Sequence, residues 1–538
     1  MNRNHQVIKG FTAIYPLYLL VLAWLPLLTG YLVDADLVDS RYFVISLVWI
    51  PFFTIPAILT KKKVFIQIAN FLVFIAGFIE IAHWIILKGP ISLTSILVIS
   101  NTNLQESVEF FDLKATYELL LLIPYVAFYI FIVWHTVRYF NATSNKYIIG
   151  AVVLFVTFFI GENVIHGRLV RKGVPQLVKV GFSFYEKMNL YEQAAKETEP
   201  KDVDAKTTCR EAKQVFVLIL GESCSRNHMS LYGYKRNTTP HLEKRKDITV
   251  FDDVVSAYSN TLHSVLSILS VSNLENKIEL TTGYDLIDVF HSAGFKTFWI
   301  SNQSPIGVWD NLVTVLANKA DVTRFVNISS NSSFEAIMTS SYDSKLFKPF
   351  EKALADSTGK KFIVLHLIGS HSSYMKRYPG KFDVFKGDDS KQEHIAQYDN
   401  SILYTDFIVD SLLKILNESV RQNNEIASAI YLSDHGENVY DELNKAGHDY
   451  SGYLPKANVE IPFIVWESPK YRLQYPEKVS QIVKNFHKPF VSDDLFHSIL
   501  DLNCITGSFY DSTRSLFNMR FNADRKRILE DDVDYDKK

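Results

Sequence analysis

The feature that most constrains this chain is the uneven placement of its apolar residues. Five segments, at about 10–33, 42–60, 64–87, 115–138 and 147–165, are each long and apolar enough to cross a hydrocarbon layer of ~30 Å. All of them fall within residues 1–166, and the rest of the sequence reads as a mixed, soluble protein. The first segment does not read as a cleaved signal peptide. Its apolar stretch is long for one, no small-x-small site follows it, and four further segments come after. Basic residues beside the short loops set the orientation. Arg3 and Lys9 precede the first span, Lys61-Lys62-Lys63 separate the second and third, and Arg138 and Lys146 flank the loop between the last two. The alternate loop "DADLVDSR" is acidic instead. The amino terminus is therefore expected in the cytoplasm. An odd number of spans then places everything after residue 166 across the membrane.

Around the spans, several residues are candidates for function. The loop at 88–114 carries Thr102 and Glu106 four residues apart, a spacing that shares one helical face, although spacing alone favours an ordinary solvated loop. Glu80 and His83 lie near one end of the third span, where they either serve a function or simply reach water. Residues 167–206 form a connector. It opens with Arg168, Arg171, Lys172 and Lys179, suited to lie on anionic headgroups, and ends as an acidic tether. A net charge of −2 gives no electrostatic case for a nucleic-acid partner. The three cysteines, Cys209, Cys224 and Cys504, make neither a disulfide framework nor a zinc spacing, though one pair is able to bridge.

From 207 to 538, β-branched runs alternate with helical patterns. Strands are expected at 215–220, 249–255, 296–301, 361–369, 428–434 and 461–467, with helices such as 283–293 and 395–417 between them. Continuous apolar strands separated by helices imply a sheet covered on both faces, with ligands beyond the carboxyl ends of its strands. Glu222, His371 and the pair Asp434-His435 stand at such ends, with His448 further along. Carboxylates and imidazoles suit zinc or manganese, whereas each residue taken singly is as well explained as a turn cap or a hydrogen-bonded core histidine. In "GESCS" the elbow pattern fails, because Ser225 stands where G-x-S-x-G needs glycine, and nothing near Cys224 lowers its pKa. In "SNTLHSVLSILS", Asn260 reads as an N-cap and Thr261 falls on the first turn of a buried helix. That turn favours a phosphate or a forming alkoxide, although a plain capping role fits the pattern too.

Four segments in order, "GESCSRNHMSLYGYKRNTTPHL", "SNTLHSVLSILS", "LHLIGSHSSYMKRYP" and "YLSDHGENVYD", resemble the phosphoethanolamine transferases of Gram-negative envelopes. These are members of the alkaline phosphatase/sulfatase superfamily, and the first and last segments are most similar to the CptA-like branch that decorates lipopolysaccharide core heptose. The resemblance implies five inner-membrane spans followed by an α/β/α sandwich in the periplasm. It makes Glu222, Asp434 and His435 zinc ligands, with Thr261 the nucleophile on the same ion. His371 and His448 would contact the substrate phosphate or a second zinc, and Thr102 and Glu106 would receive the donor headgroup. It further implies phosphatidylethanolamine as donor, lipopolysaccharide core or lipid A as acceptor, and a phospho-threonine between the two displacements. Cys224 replaces the threonine common in relatives, and the disulfides of the lipid A branch are missing. A membrane-anchored glycerol-phosphate transferase has the same architecture and is the nearest rival. A sulfatase would need C/S-x-P-x-R, which the site helix lacks. A silent scaffold has no reason to keep the ligand set, and five spans lack a transporter's paired repeats.

Overall fold

The computed structural model describes residues 2–33, 62–87, 117–139, 199–209, 211–278, 283–303, 312–327, 341–448 and 453–537, with a few isolated positions between them. They fall into two compact units, one of amino-terminal helices and one of α/β structure.

Three long helices make up the first: α1 (Asn2–Val33), α2 (Lys63–Leu87) and α3 (Leu122–Tyr139). The ring of Tyr125 on α3 lies among Leu22, Ile81, Ile85 and Ile132, and its hydroxyl donates to the Leu22 carbonyl at 3.2 Å. The outward faces carry exposed Ile68, Phe71, Leu72, Ile130 and Trp134. Among the described residues, Lys63–Ile86 and Leu119–Tyr139 are long and apolar enough to cross a membrane, and Leu17–Val33 is a shorter apolar helix. The segments 42–60 and 147–165, the loop residues Thr102 and Glu106, and most of the connector lie outside the described residues.

The second unit is built on strands β1 (Lys206–Thr207), β2 (Gln214–Gly221), β3 (Ile248–Phe251), β4 (Lys296–Ser301), β5 (Val322–Phe325), β6 (Lys360–His366), β7 (Ile426–Ser433), β8 (Phe463–Glu467) and β9 (Ile505–Thr506). Seven of them form one mixed sheet in the order β3-β8-β7-β2-β6-β4-β5. The run from β7 to β5 is parallel, and β8 is antiparallel to both of its neighbours. Every residue of β2 and β7 is buried, which is why these strands read as unbroken apolar runs. Helices α4 (Thr261–Leu269), α5 (Leu286–Ser292), α6 (Leu312–Asn318) and α7 (Ser390–Gln422) lie between the strands in sequence. On one face Val215, Val217 and Ile219 join a core with Ile402, Ile408 and Leu412 of α7. On the other, Phe290 of α5 stacks against Phe216 and Phe362, with ring centroids 5.7 and 4.2 Å apart.

Two sequence expectations need correction. The run 249–255 is broken at Asp252 and Asp253, and Val254–Val255 pairs in parallel with Phe490–Val491 instead of extending the edge strand β3. The strand expected at 361–369 stops at His366, because Ile368 and Gly369 turn aside to donate their N–H groups to the buried Asp343 carboxylate. Strand β5 was missed. Its exposed and half-buried residues give it no apolar run to recognise.

Candidate active site

The register of the central ladder builds the site. Gly221 of β2 pairs with Ser433 of β7, so the residues that follow, Glu222 and Asp434, emerge side by side at the carboxyl ends of adjacent parallel strands. Ser223 then turns in a left-handed conformation at φ 54°, a geometry that a residue with a Cβ adopts only when held. Tyr398 of α7 holds it. The phenol donates to the Ser223 carbonyl and accepts from the Ser225 N–H, both at 2.8 Å. The Ser223 N–H donates to Asp434 Oδ1 at 3.1 Å, and its hydroxyl donates to Glu222 Oε1 at 2.7 Å. Gly369, at φ 51°, lies against this turn, and a Cβ there would sit 2.7 Å from the Glu222 carbonyl oxygen.

Helix α4 brings in the hydroxyl. Asn260 caps it by accepting from the His263 N–H at 3.1 Å, as the sequence predicts. Thr261, the first helical residue, is half-buried, and its Oγ1 lies 3.1 and 3.2 Å from the Glu222 carboxylate oxygens and 3.3 Å from His435 Nε2. His435 donates from Nδ1 to the Gly436 carbonyl at 2.7 Å, which turns Nε2 towards the cluster. Nε2 stands 3.4 Å from Glu222 Oε1 and 3.6 Å from Asp434 Oδ2.

These donors fit a divalent cation. Ligand atoms about 2.0–2.1 Å from a shared tetrahedral centre stand ~3.3–3.4 Å apart, close to the spacings observed here. Glu222, Asp434 and His435 are fully buried, and Asp434 Oδ2 has no hydrogen-bond partner among the described residues. A buried carboxylate oxygen left unbonded is costly unless something positive faces it. Electrostatics point the same way. Burial and the Glu222 charge push the Asp434 carboxyl up to about 7. Burial alone would also raise Glu222, but the hydrogen bond and charge of His435 and the charge of His371 hold it below the usual range.

A second group, His435, Glu437 and His448, adjoins the first. His448 Nδ1 lies 2.5 Å from Glu437 Oε2, while Tyr374 donates to Glu437 Oε1 at 2.7 Å. The carboxylate thus orients the ring, whose centroid is 4.3 Å from that of His435. His371 is half-buried and acts on Glu222 through its charge. Cys224 is inert, for burial pushes its thiol up to about 12. Glu437 and Gln303 were not picked out in the sequence. Gln303 follows β4 and donates from Nε2 to Glu222 Oε2 at 3.2 Å and to the Leu367 carbonyl at 3.0 Å. Its position at a strand end was the available signal. Glu437 was equally open to notice, two residues beyond His435 in "SDHGEN".

The mixed α/β sheet, with carboxylates and an imidazole at its strand ends and a hydroxyl on the first turn of α4, lies within the residues, 214–503, that the model of the sulfatase family matches. The chain belongs to that family, and several of its relatives are named phosphoethanolamine transferases. Phosphoethanolamine transferase EptC of Escherichia coli strain K12 is 28% identical over 560 residues, covering 95% of this chain and 92% of its own. The crystal structure of the periplasmic domain of the Escherichia coli EptC, in complex with zinc, superposes with a TM-score of 0.56 at 31% identity. It covers 63% of this chain and 97% of that one. The fold extends further, for the integral membrane protein EptA of Neisseria meningitidis matches with a TM-score of 0.67, 18% identity and coverage of 95% and 98%.

Proposed function

We propose that this chain transfers phosphoethanolamine from phosphatidylethanolamine to an envelope glycolipid, the lipopolysaccharide core or lipid A, through a phospho-threonine at Thr261. The supporting observation is the position of that hydroxyl. It is the one half-exposed group in a buried cluster of two carboxylates and an imidazole, and it sits on the amino end of a helix. Glu222, Thr261, Asp434 and His435 would hold zinc, which supplies charge that favours the alkoxide over the alcohol and offsets charge on phosphoryl oxygens. Thr261 Oγ1 attacks phosphorus, the bond to the diacylglycerol oxygen breaks, and the amino end of α4 faces the phosphoryl oxygens. His448, oriented by Glu437, or His371 protonates the leaving oxygen. An acceptor hydroxyl or phosphate then attacks the phosphorus on Thr261 and regenerates the alcohol. Thr102 and Glu106 are proposed to receive the donor headgroup.

The domain reading belongs to the same proposal: residues 1–166 a five-span inner-membrane anchor, 167–206 an interfacial connector, and 207–538 a periplasmic catalytic domain. Anchoring confines the catalytic domain to the bilayer that carries its donor, which raises their effective concentration. Mass spectrometry of envelope glycolipids from cells with and without the gene tests the reading. Loss of a phosphoethanolamine mass increment on deletion, restored by the native chain and not by Thr261→Ala, is the expected result. Restoration by Thr261→Ala would refute the nucleophile.

A further inference from the structure

Three cysteines remain outside the chemistry just described. Cys224 is enclosed in the core, but Cys209 and Cys504 meet. The chain enters the α/β domain through β1, which pairs antiparallel with β9 by only two residues, Lys206 with Thr506 and Thr207 with Ile505. The ladder continues one step, since Thr208 donates its N–H to the Cys504 carbonyl at 2.8 Å. That step sets Cys504 opposite Thr208, with Cys209 the next residue along the strand, and Cys504 leaves the regular ladder there in a left-handed conformation at φ 56°. Their thiols are within hydrogen-bonding reach of each other.

We infer that Cys209 and Cys504 are joined by a disulfide in the mature protein, a covalent clasp between the start of the α/β domain and its carboxy-terminal part. The inference rests on the proposed placement of this domain on the oxidising side of the membrane, where thiols in contact do not stay reduced. A two-residue ladder frays easily, and this one carries the junction with the connector. Bridging residues so far apart in sequence also closes a loop around most of the domain, where cross-linking constrains the unfolded chain most.

The chemistry is thiol–disulfide exchange. A Cys209 thiolate attacks one sulfur of an oxidant disulfide, either a dithiol oxidase or oxidised glutathione, and expels one thiolate. Cys504, deprotonated, then attacks the Cys209 sulfur of the mixed disulfide and expels the second. The cysteines lose two electrons and two protons, and the oxidant gains them as two thiols. The surroundings assign the order. The hydrogen bond from Cys504 brings the Cys209 thiol down to about 7 against the opposing effect of burial, helped by the Tyr475 hydroxyl and the charges of Lys478 and Lys360. Cys504 is pushed up, first by that same hydrogen bond and then by burial. Cys209 is therefore the attacking thiol and Cys504 the resolving one.

The test uses the detergent-solubilised full chain, denatured and labelled with a maleimide, with labels counted by intact mass. Protein acid-trapped from cells is expected to take one label, on Cys224, and three after reduction. Purified reduced protein incubated with oxidised glutathione is expected to return to one label. Three labels after that incubation would overturn the inference, since the geometry alone would then fail to bring the thiols together. One label after incubation but three on trapped protein would uphold the pairing and count against the periplasmic placement. Cys504→Ser is expected to take two labels in either state, and to melt about 5 °C below the oxidised native chain but together with the reduced one.

Discussion

At the residue scale, the proposed chemistry depends on four side chains that the sequence scatters across more than two hundred positions. Thr261→Ala deletes the attacking atom and leaves the helix cap Asn260 in place, so transfer is expected to fall by at least ~10³-fold with folding retained. Single-turnover assays on a fluorescent donor lipid check this. Thr261→Ser keeps an oxygen and should keep part of the rate. Asp434 gives the metal prediction its direction. Its buried Oδ2 has no hydrogen-bond partner among the described residues and the Glu222 charge opposes its ionisation, so chelation is expected both to stop turnover and to lower the melting temperature. Asp434→Asn should retain less zinc by elemental analysis of the purified chain, and unchanged zinc content would refute the ligand set. Most of this set could be found in the sequence because each member ends a strand or opens a helix, positions that local patterns mark. Gln303 and Glu437 offered only a positional signal, since their roles depend on the Glu222 and His448 side chains that the fold brings beside them.

At the element scale, the site is held by one strained turn and what packs on it. Ser223 has no local reason to adopt a positive φ, and the sequence gives no warning of it. Tyr398, from a helix far along the chain, stabilises the turn with two hydrogen bonds of its hydroxyl. Tyr398→Phe removes both and leaves a buried carbonyl and N–H unpaired, at a cost of about 1–3 kcal/mol for each group that finds no new partner. Denaturation midpoints of native and variant chains measure this. The same variant should also lower the rate, because the turn fixes the Glu222 carboxylate. Gly369→Ala tests the close approach from the other side. An alanine there is strained at φ 51° and meets the Glu222 backbone, so the variant is expected to be less stable and less active. Strand existence and type were readable from apolar runs in β2, β4, β6 and β7, whose residues are nearly all buried. The end of β6 and the break in β3 were not, because Asp343 and the Phe490–Val491 pair decide them from elsewhere in the chain.

At the scale of the whole molecule, a buried charge network that includes none of the candidate metal ligands makes stability depend on pH. His228 is buried between two carboxylates, with Nδ1 2.6 Å from Asp399 Oδ1 and Nε2 3.1 Å from Asp441 Oδ1. Asp399 is shared, for its Oδ2 also accepts from Tyr234 at 3.0 Å and Arg236 at 2.8 Å. Burial disfavours the imidazolium, but its hydrogen bonds to Asp399 and Asp441 outweigh this and push the ring up to about 9. An unfolded histidine titrates near ~6.5. The folded state therefore binds the proton more tightly, and the resulting stability is fully present below the unfolded value. It is lost as pH rises through the folded one, by roughly 3 kcal/mol in all, since each tenfold gain in proton affinity is worth about 1.4 kcal/mol. The native chain should accordingly lose stability between about pH 6.5 and pH 9. Other groups titrate in the same window, so the quantity to measure is the difference between native and His228→Gln chains, from denaturant midpoints across that range. The difference is expected to be largest at the acid end and to shrink steadily towards pH 9. A difference that stays constant across the range would mean that the ring is neutral in the folded chain, and that Asp399 is balanced by Arg236 alone.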